Sequence, residues 1–283
     1  MTKRKTKRRK KRPKLTAFNA DRHVLYQESV QAPELDSRFL ARLYQRSNGR
    51  PARIFREDFC GTAILSTHWV RLHRGNRAIG VDLHRPTLDW AREHNLSALS
   101  DEQRRRVRLV QDNVLAVRSP KADIVAAMNF SYSVFKTRGG LGQYVRNAYR
   151  SLRDQGILVM DAWGGSQAQV LMEERRRLHG FTYVWDQADF DPVTHHILCK
   201  IHFEFRDGSR MRDAFIYDWR LWTLPELSEL MDEAGFEDVH VLWEGTDRKT
   251  GGGNGVFRRV ERGGDEEAWI AYVVGRKPRK GSP

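Results

Sequence analysis

The chain is poor in cysteine, with Cys60 and Cys199 as the only two among its 283 residues. Two cysteines supply neither a disulfide framework nor the ligand spacing of a metal site, so we expect a reducing, cytoplasmic compartment. Long apolar runs are also missing, and the first residues lack the apolar core of a signal peptide. We therefore expect no membrane-spanning segment and no membrane partner.

Acidic residues are missing from both ends of the chain. Positions 1–14 hold ten Lys and Arg residues and positions 275–283 hold four more, with no acid in either range. These ends account for the whole formal charge of +14, so the sequence between them is formally neutral. Because like charges repel and nothing apolar is there to bury, residues 1–20 are predicted to form a disordered basic tail. Such a tail attracts nucleic acid or another acidic surface without reading sequence.

The rest of the chain, residues 21–283, is predicted to form one α/β domain. Short apolar runs alternate with amphipathic segments, an order that favours a parallel sheet with helices on both faces. The predicted helices of this part lie at 22–46, 62–72 and 141–152. The predicted strands lie at 52–56, 78–81, 107–110, 123–128 and 157–160.

Beyond residue 165 the pattern changes. Three β segments of mixed polarity, separated by turn signals, predict an antiparallel insertion at about 181–220. A capping box from Thr223 to Glu226 then begins a helix. A strand at 239–243, a glycine-rich loop at 250–264 and a last strand at 268–274 are predicted to complete the domain.

An acidic, glycine-containing turn follows the first predicted strand, with the sequence EDFCGTA at 57–63. A helix and a second strand come next, and Asp82 ends that strand about twenty residues beyond Gly61. This layout is typical of a chain that binds an adenosine cofactor, because the turn lets a ligand approach the backbone and the acid takes the ribose hydroxyls. The alternative for Asp82 is an ordinary strand-end acid that caps the helix at Pro86.

Five short motifs follow one another in a fixed order. They are Glu57 with CGT at 60–62, GVDL at 80–83 with Pro86, QDN at 111–113, GILV at 156–159, and AGF at 234–236 before two strands. Together they resemble a class I S-adenosylmethionine-dependent methyltransferase over most of the chain from about residue 52. The resemblance implies a Rossmann-like seven-stranded sheet whose final strand is antiparallel to the rest. It also implies S-adenosyl-L-methionine as the cofactor.

The resemblance assigns cofactor contacts to particular residues. Asp82 is expected to bind both ribose hydroxyls, and Asp112 to reach the adenine amino group while the backbone of Asn113 or Val114 addresses the ring. Glu57 is expected to face the amino-acid end of the cofactor. The other implied cofactor contacts are Cys60, Gly61, Thr62, Leu83 and Asn129.

Several of these assignments have a structural alternative. Asp58 competes with Glu57, and Asp112 with Asn113 also forms a turn-favouring pair. For Leu83 the alternatives are plain core packing and an ordinary surface position. The chain also departs from the family pattern, because Phe59 and Ala63 stand where that pattern has glycines. Either the turn changes its geometry, or the Phe59 ring packs away beneath the sheet.

The candidate catalytic residues are Asn129 and Tyr132, in the loop NFSY at 129–132 after the fourth strand. In the family this loop borders the transferred methyl group, so both side chains are candidates to orient an acceptor nitrogen or oxygen. Packing of Tyr132 in a polar loop is the alternative. In-line methyl transfer depends mainly on orientation, and a base is needed only where the acceptor must lose a proton.

The predicted function is methyl transfer to a nitrogen or oxygen of a small organic acceptor, in a pocket roofed by the insertion. Aromatic residues of the insertion are candidates for that pocket, namely Trp185, His195, His196, Tyr217, Trp219 and Trp222. We expect no metal, because the His195-His196 pair lacks partners at ligand spacing.

A second candidate function is a methyltransferase of RNA or a nucleic-acid-associated protein, bound through the basic tails. A nucleotide-binding oxidoreductase is a third candidate, but it would need more glycine than Gly61 supplies for a pyrophosphate to approach the first helix. A protein that binds the cofactor without catalysing a reaction is the fourth, because Phe59 departs from the family pattern.

Overall fold

The computed structural model describes residues 14–247, 249–279 and 281. The helices are α1 Arg22–Val30, α2 Pro33–Asn48, α3 Ile64–Leu72, α4 Arg85–Ala91, α5 Asp101–Arg104, α6 Arg138–Ser151 and α7 Leu224–Glu233. The strands are β1 Ile54–Asp58, β2 Arg77–Asp82, β3 Val107–Gln111, β4 Ala122–Ala127, β5 Leu152–Gly164, β6 Met172–Arg177, β7 Phe181–Phe190, β8 His196–Phe205, β9 Arg210–Arg220, β10 Glu237–Thr246, β11 Gly253–Val260 and β12 Trp269–Arg276. None of these helices is long and apolar enough to span a membrane.

The larger sheet has eight strands in the order β11-β10-β12-β5-β4-β1-β2-β3. Strands β1 to β5 pair in parallel, and β12 is antiparallel to both β5 and β10. Leaving β11 aside, these are the seven strands of the predicted Rossmann-like sheet, and the antiparallel final strand is where the resemblance placed it. The predicted fold class is therefore confirmed.

Strand β11 is an addition at the sheet edge, and it corrects the prediction of a glycine-rich loop at 250–264. Glycine is depleted in strands, which is why this segment had the pattern of a loop. The ring of Phe257 lies 4.6 Å from Tyr272 and 5.6 Å from Phe39. This aromatic packing explains why the segment pairs with β10 despite its glycines.

The smaller sheet is fully antiparallel, in the order β6-β7-β8-β9. Its strands lie between β5 and α7 in the sequence. The predicted insertion is confirmed, but it begins with β6 rather than at residue 181. The sequence of β6 is MEERRR, and almost all of its side chains are exposed. An edge strand without a buried face has no period-2 apolar pattern, so sequence periodicity could not reveal it.

Helix α1 lies between the two sheets. Leu25 is buried in an apolar cluster with Phe181, Ile201 and Phe203 of the smaller sheet. On the other side, the Gln27 side chain donates to the Thr62 hydroxyl at 2.7 Å. The helix therefore ties the insertion to the turn that follows β1.

The predicted disordered tail at residues 1–20 is covered only in part by the described residues. Positions 1–13 lie outside them, so that part stays a prediction. Leu15, Ala17 and Ala20 pack against the apolar cluster of α1 and the smaller sheet. The backbone N–H of Ala17 also donates to the Ser209 hydroxyl at 2.9 Å. The packed part of the chain thus reaches Leu15, some residues before the predicted boundary.

A buried ion pair fixes strand β1 where it approaches the sheet edge. Arg56 is 0% exposed, and its Nε donates to the Asp58 carboxylate at 2.6 Å. Its Nη1 donates to the Val117 carbonyl and the Ser151 hydroxyl at 2.7 and 2.9 Å. The Tyr144 hydroxyl donates to the second Asp58 oxygen at 3.1 Å. Buried charges need such partners, since an unpaired one is costly.

We predict that Arg56→Met lowers the free energy of unfolding by about 3–5 kcal/mol, because it leaves the Asp58 carboxylate buried without its cation. Urea denaturation measures the change. The matched control is Arg38→Met, which breaks an exposed pair with Glu34 and should cost no more than about 1 kcal/mol. Equal, small losses in both variants would contradict the role given to Arg56.

Candidate active site

The carboxyl ends of the parallel strands meet at one edge of the larger sheet, and acids lie at several of them. Strand β1 extends two residues beyond its predicted end, so Glu57 and Asp58 belong to the strand and face opposite sides. The Asp58 carboxylate accepts hydrogen bonds from Arg56 and Tyr144 on the α6 side. Glu57 lies on the α3 side. This division favours Glu57 over Asp58 as the acid available near the turn.

The turn after β1 keeps a left-handed backbone at both positions where the family pattern has glycine. Phe59 has φ of 56° and Ala63 has φ of 54°, values that non-glycine residues adopt only at a cost. The Phe59 ring lies 5.5 Å from the ring of Tyr144 and 6.1 Å from that of Phe135. The ring is therefore packed beneath the sheet edge, and the turn keeps the left-handed conformation that favours glycine with phenylalanine in its place.

Gly61 and Cys60 occupy the centre of the turn. The backbone N–H of Gly61 donates to the Asp82 carboxylate at 2.8 Å, and that of Cys60 donates to the Val81 carbonyl at 3.0 Å. The Cys60 side chain is buried against Gly80, where an added Cβ would come within 2.8 Å of its sulfur. Burial raises the pKa of this thiol well above its usual value. Cys60 therefore acts here through packing and backbone, as a protonated thiol.

Asp82 is held between two elements. One oxygen accepts the Gly61 N–H, and the other accepts the His84 N–H at 2.8 Å, directly before α4. Each carboxylate oxygen has two lone pairs, so each keeps one for a further donor. The N-cap residue of α4 is His84, and among the described residues no side chain caps this helix, so the helix-capping alternative for Asp82 is wrong. The arrangement leaves acceptor capacity for ribose hydroxyls.

The edge beside Asp82 is open. Leu83 is 65% exposed, so the plain core-packing alternative for it is wrong. Asp112 and Asn113 are exposed as well, and the Asp112 N–H donates to the Asp82 carbonyl at 3.2 Å. The Asn113 side chain accepts the Leu115 N–H at 2.9 Å, which is the turn alternative. The structure thus places Asp82, Leu83 and Asp112 side by side at the ends of β2 and β3.

Glu57 is only 5% exposed and accepts both the N–H and the hydroxyl of Ser66, at 2.9 and 2.5 Å. Burial raises its pKa to about 8, against the lowering effect of Ser66, and the charges of Asp82 and Asp36 raise it further. Asp36, on the first turn of α2, has its pKa raised by burial to about 6. Sequence reasoning missed Asp36, because a helical acid carries no strand-end signal.

The loop at 129–132 is held by Asp161 of β5. The N–H groups of Asn129 and Phe130, both with φ of 57°, donate to the two Asp161 oxygens at 2.6 and 2.9 Å. Tyr132 is 2% exposed, and its hydroxyl donates to the Asp161 carbonyl at 2.7 Å. This position favours the packing alternative for Tyr132, which supports the loop from within the core. Asn129 is half-buried at the surface of the loop.

Asp161 was missed by sequence reasoning, although a signal for it exists. It directly follows the buried run 157–160, as Asp82 follows its own strand. It is 7% exposed, and burial raises its pKa to about 7 against the two backbone hydrogen bonds. The strand-end rule that selected Asp82 would have selected it too.

Thr62 takes part in the turn through contacts with α1 and with the segment that follows α4. Its hydroxyl accepts from Gln27 of α1, and its carbonyl accepts from the Asn95 amide at 2.8 Å. Asp21, at the start of α1, also accepts the Trp90 indole N–H at 2.7 Å. Helix α1 therefore lies against the turn that follows β1.

The aromatic residues predicted to form an acceptor pocket divide into two groups. Trp185, Tyr217 and Trp219 share the inner face of the smaller sheet, where Tyr217 and Trp219 stack at 4.3 Å. His195 and Trp222 instead line an apolar cavity of about 200 Å³, beside the start of α7. None of the strand-end acids lines that cavity. His196 is exposed on the outer face of the smaller sheet, opposite Trp185, Tyr217 and Trp219, and it does not line the cavity of His195.

No protein-family model matches the sequence, and no curated protein matches it. Solved structures do match the fold. An S-adenosylmethionine-dependent methyltransferase from Clostridium acetobutylicum is 15% identical, with a TM-score of 0.65 over 90% of this chain and 97% of that chain. The CcbJ methyltransferase from Streptomyces caelestis is 17% identical, with a TM-score of 0.64 over 88% and 98% of the two chains.

A third similar structure is the sugar N-methyltransferase KedS8 from Streptoalloteichus. It is 18% identical, with a TM-score of 0.61 over 99% of both chains. Similarity of this kind establishes the fold. The chain has the fold of S-adenosylmethionine-dependent methyltransferases, as its five motifs predicted.

We predict that Glu57→Gln flattens the pH dependence of stability. A carboxyl whose pKa rises from 4.5 to about 8 on folding binds more protons in the folded state, so stability falls as pH increases through that window. As pH rises from 5 to 8, the free energy of unfolding of the variant should therefore increase relative to that of the wild type. Urea unfolding at several pH values tests this, with the exposed Glu261→Gln as control. A constant difference between wild type and Glu57→Gln across that range would contradict the buried, protonated state of Glu57.

Proposed function

We propose that the protein is an S-adenosyl-L-methionine-dependent methyltransferase that acts on a nitrogen or oxygen of a small organic acceptor. The observation that carries the proposal is the 2.8 Å hydrogen bond that joins the Gly61 turn to Asp82 at the edge where the strands end. Parallel α/β sheets bind ligands at this edge, at the point where the strand order reverses. Here that point lies between β1 and β4.

The residues at this edge fit the chemistry of the cofactor. Asp82, Leu83 and Asp112 offer a ribose acceptor, an apolar surface and an acceptor for an adenine amino group. Glu57 and Asp36 are acids without an ion-pair partner among the residues that the structure describes, and a cationic amino-acid end would favour their charged forms. When bound, the cofactor supplies a methyl group activated by its sulfonium.

The protein's contribution to the transfer is orientation. The loop at 129–132 is fixed by Asp161, and Phe130 of this loop packs against the apolar cluster that contains Cys199 and Trp219 of the smaller sheet. An acceptor held between this loop and the inner face of the smaller sheet would meet the methyl group in line. Several proteins of similar fold are sugar or glycopeptide N-methyltransferases by name, which supports a small acceptor.

The second candidate acceptor, RNA or a nucleic-acid-associated protein, depends on the basic tail. Most of that tail, residues 1–13, lies outside the described residues. The body of the protein is formally neutral, so it offers no large attraction for phosphate. The small-molecule acceptor is therefore the better supported one.

We predict that Asp82→Ala weakens binding of S-adenosylhomocysteine by about 10- to 100-fold. Hydrogen bonds to a charged group contribute about 1.5–3 kcal/mol, and 1.4 kcal/mol corresponds to about tenfold in affinity. Isothermal titration calorimetry measures the change. Asp89→Ala, which removes an exposed acid of α4 paired with Arg92, should bind like the wild type. If Asp82→Ala bound S-adenosylhomocysteine as tightly as the wild type, Asp82 would not be the residue that binds the ribose hydroxyls.

Deleting residues 1–13 should leave methyl transfer to small molecules intact. The test supplies radiolabelled S-adenosylmethionine and a cell extract to the full chain and to the deletion variant. We expect label in the low-molecular-weight fraction at equal rates. Label in the RNA or protein fraction that disappears on deletion or at high salt would instead support the nucleic-acid acceptor.

A further inference from the structure

Asp161 is a buried carboxylate without a cation. Its two oxygens accept the N–H groups of Asn129 and Phe130, and each oxygen retains a second lone pair. Among the residues that the structure describes, no basic side chain pairs with it, and Asp36 is the charged neighbour that acts on its pKa. An anion held this deep is stabilised by any cation that binds beside it.

Aromatic rings connect the segment of β5 that carries Asp161 to the insertion. Trp163, two residues along β5, has its ring 6.0 Å from Phe130 and 6.2 Å from Trp185, and its plane is nearly perpendicular to that of Trp185. The Trp185 ring also contacts that of Tyr217, with ring centres 6.1 Å apart. These contacts form an uninterrupted aromatic path from the loop at 129–132 to the inner face of the smaller sheet.

Tyr26 of α1 completes this group. Its phenol interacts with that of Tyr217, and burial raises its pKa to about 12, with the nearby charge of Asp161 raising it as well. Both tyrosine side chains are half-buried between α1 and the smaller sheet and keep some exposed surface. Their two hydroxyls are buried against each other, so the rings are the part of these side chains that a ligand could contact.

We propose that the methyl acceptor is an amine, bound as a cation between the Asp161 carboxylate and the rings of Tyr26, Trp163, Trp185 and Tyr217. This rests on the proposed methyltransferase function and names the substrate class of that same site. The electron-rich faces of tryptophan and tyrosine attract ammonium groups. A neutral alcohol gains nothing from either the rings or the carboxylate charge.

The carboxylate also solves a chemical problem that an amine acceptor poses. An ammonium group has no lone pair, so a proton must leave before nitrogen attacks the methyl carbon. Asp161 takes that proton through a free lone pair. The carbon–nitrogen bond then forms while the carbon–sulfur bond breaks, and sulfur keeps the electron pair. The methylated product leaves as a secondary ammonium ion, and Asp161 returns its proton to solvent.

The test compares two pairs of probes, cyclohexylamine with cyclohexanol and glucosamine with glucose. Each is titrated into the protein saturated with S-adenosylhomocysteine, and tryptophan fluorescence reports binding. We expect each amine to bind at least about tenfold more tightly than its alcohol partner. The affinity for cyclohexylamine, which stays protonated across this range, should fall as pH decreases from 8 to 6, because the carboxylate is protonated below about pH 7. The other titratable groups around Asp161 are Asp36, Tyr26, Tyr132 and Tyr272.

Two variants separate the charge from the rings. Asp161→Asn should abolish the preference for amines, and Trp185→Leu should weaken amine binding by about threefold to thirtyfold. If Asp161→Asn fails to fold, Trp185→Leu still tests the amine site. Asp186→Asn, on the outer face of the smaller sheet, is the control and should keep the wild-type preference.

The outcomes distinguish this inference from the proposed function. Binding of S-adenosylhomocysteine by calorimetry, with no binding of either amine or with equal binding of amine and alcohol, overturns the amine site alone. Failure to bind S-adenosylhomocysteine at all overturns the methyltransferase assignment and the amine site with it. An amine preference that survives in Asp161→Asn also overturns the role of Asp161.

Discussion

The candidate site depends on one kind of interaction, in which a carboxylate at the edge where the parallel pairing ends accepts backbone N–H groups from a neighbouring loop. Asp82 takes the N–H of Gly61, and Asp161 takes those of Asn129 and Phe130. Each contact holds a left-handed backbone segment that would not keep its shape alone. The turn after β1 and the loop after β4 are thereby fixed to adjacent strands. Both surfaces of the site are consequently in place before a ligand binds.

The electrostatic character of the site follows from the same carboxylates. Glu57, Asp36 and Asp161 are buried enough for their pKa values to rise, to about 8, 6 and 7 respectively. In contrast, Asp58 lies on the other side of β1 and is neutralised by Arg56. Glu57, Asp36 and Asp161 form no ion pair with a basic side chain among the described residues. A positively charged ligand would therefore restore their ordinary ionisation.

The sequence predicted the elements whose signals are local. The motifs around Glu57, Asp82 and Asp112 identified the right strand ends, and the capping box at Thr223 begins α7 as expected. Strands β6 and β11 were not predictable, since one has no buried face and the other owes its pairing to a distant aromatic contact. The position of the Phe59 ring depends on Tyr144 of α6, which no local pattern reveals. Asp161 was predictable from its strand end and was overlooked.

The proposed function requires an adenosine to lie across the carboxyl edge of the larger sheet, with its ribose at Asp82. A crystal structure of the protein grown with S-adenosylhomocysteine would show whether it does. We expect both ribose hydroxyls within hydrogen-bond distance of Asp82, the adenine between Leu83 and Asp112, and the homocysteine beside the Gly61 turn. An empty edge at saturating ligand, or a nucleoside bound in the apolar cavity beside Trp222, would contradict the proposal.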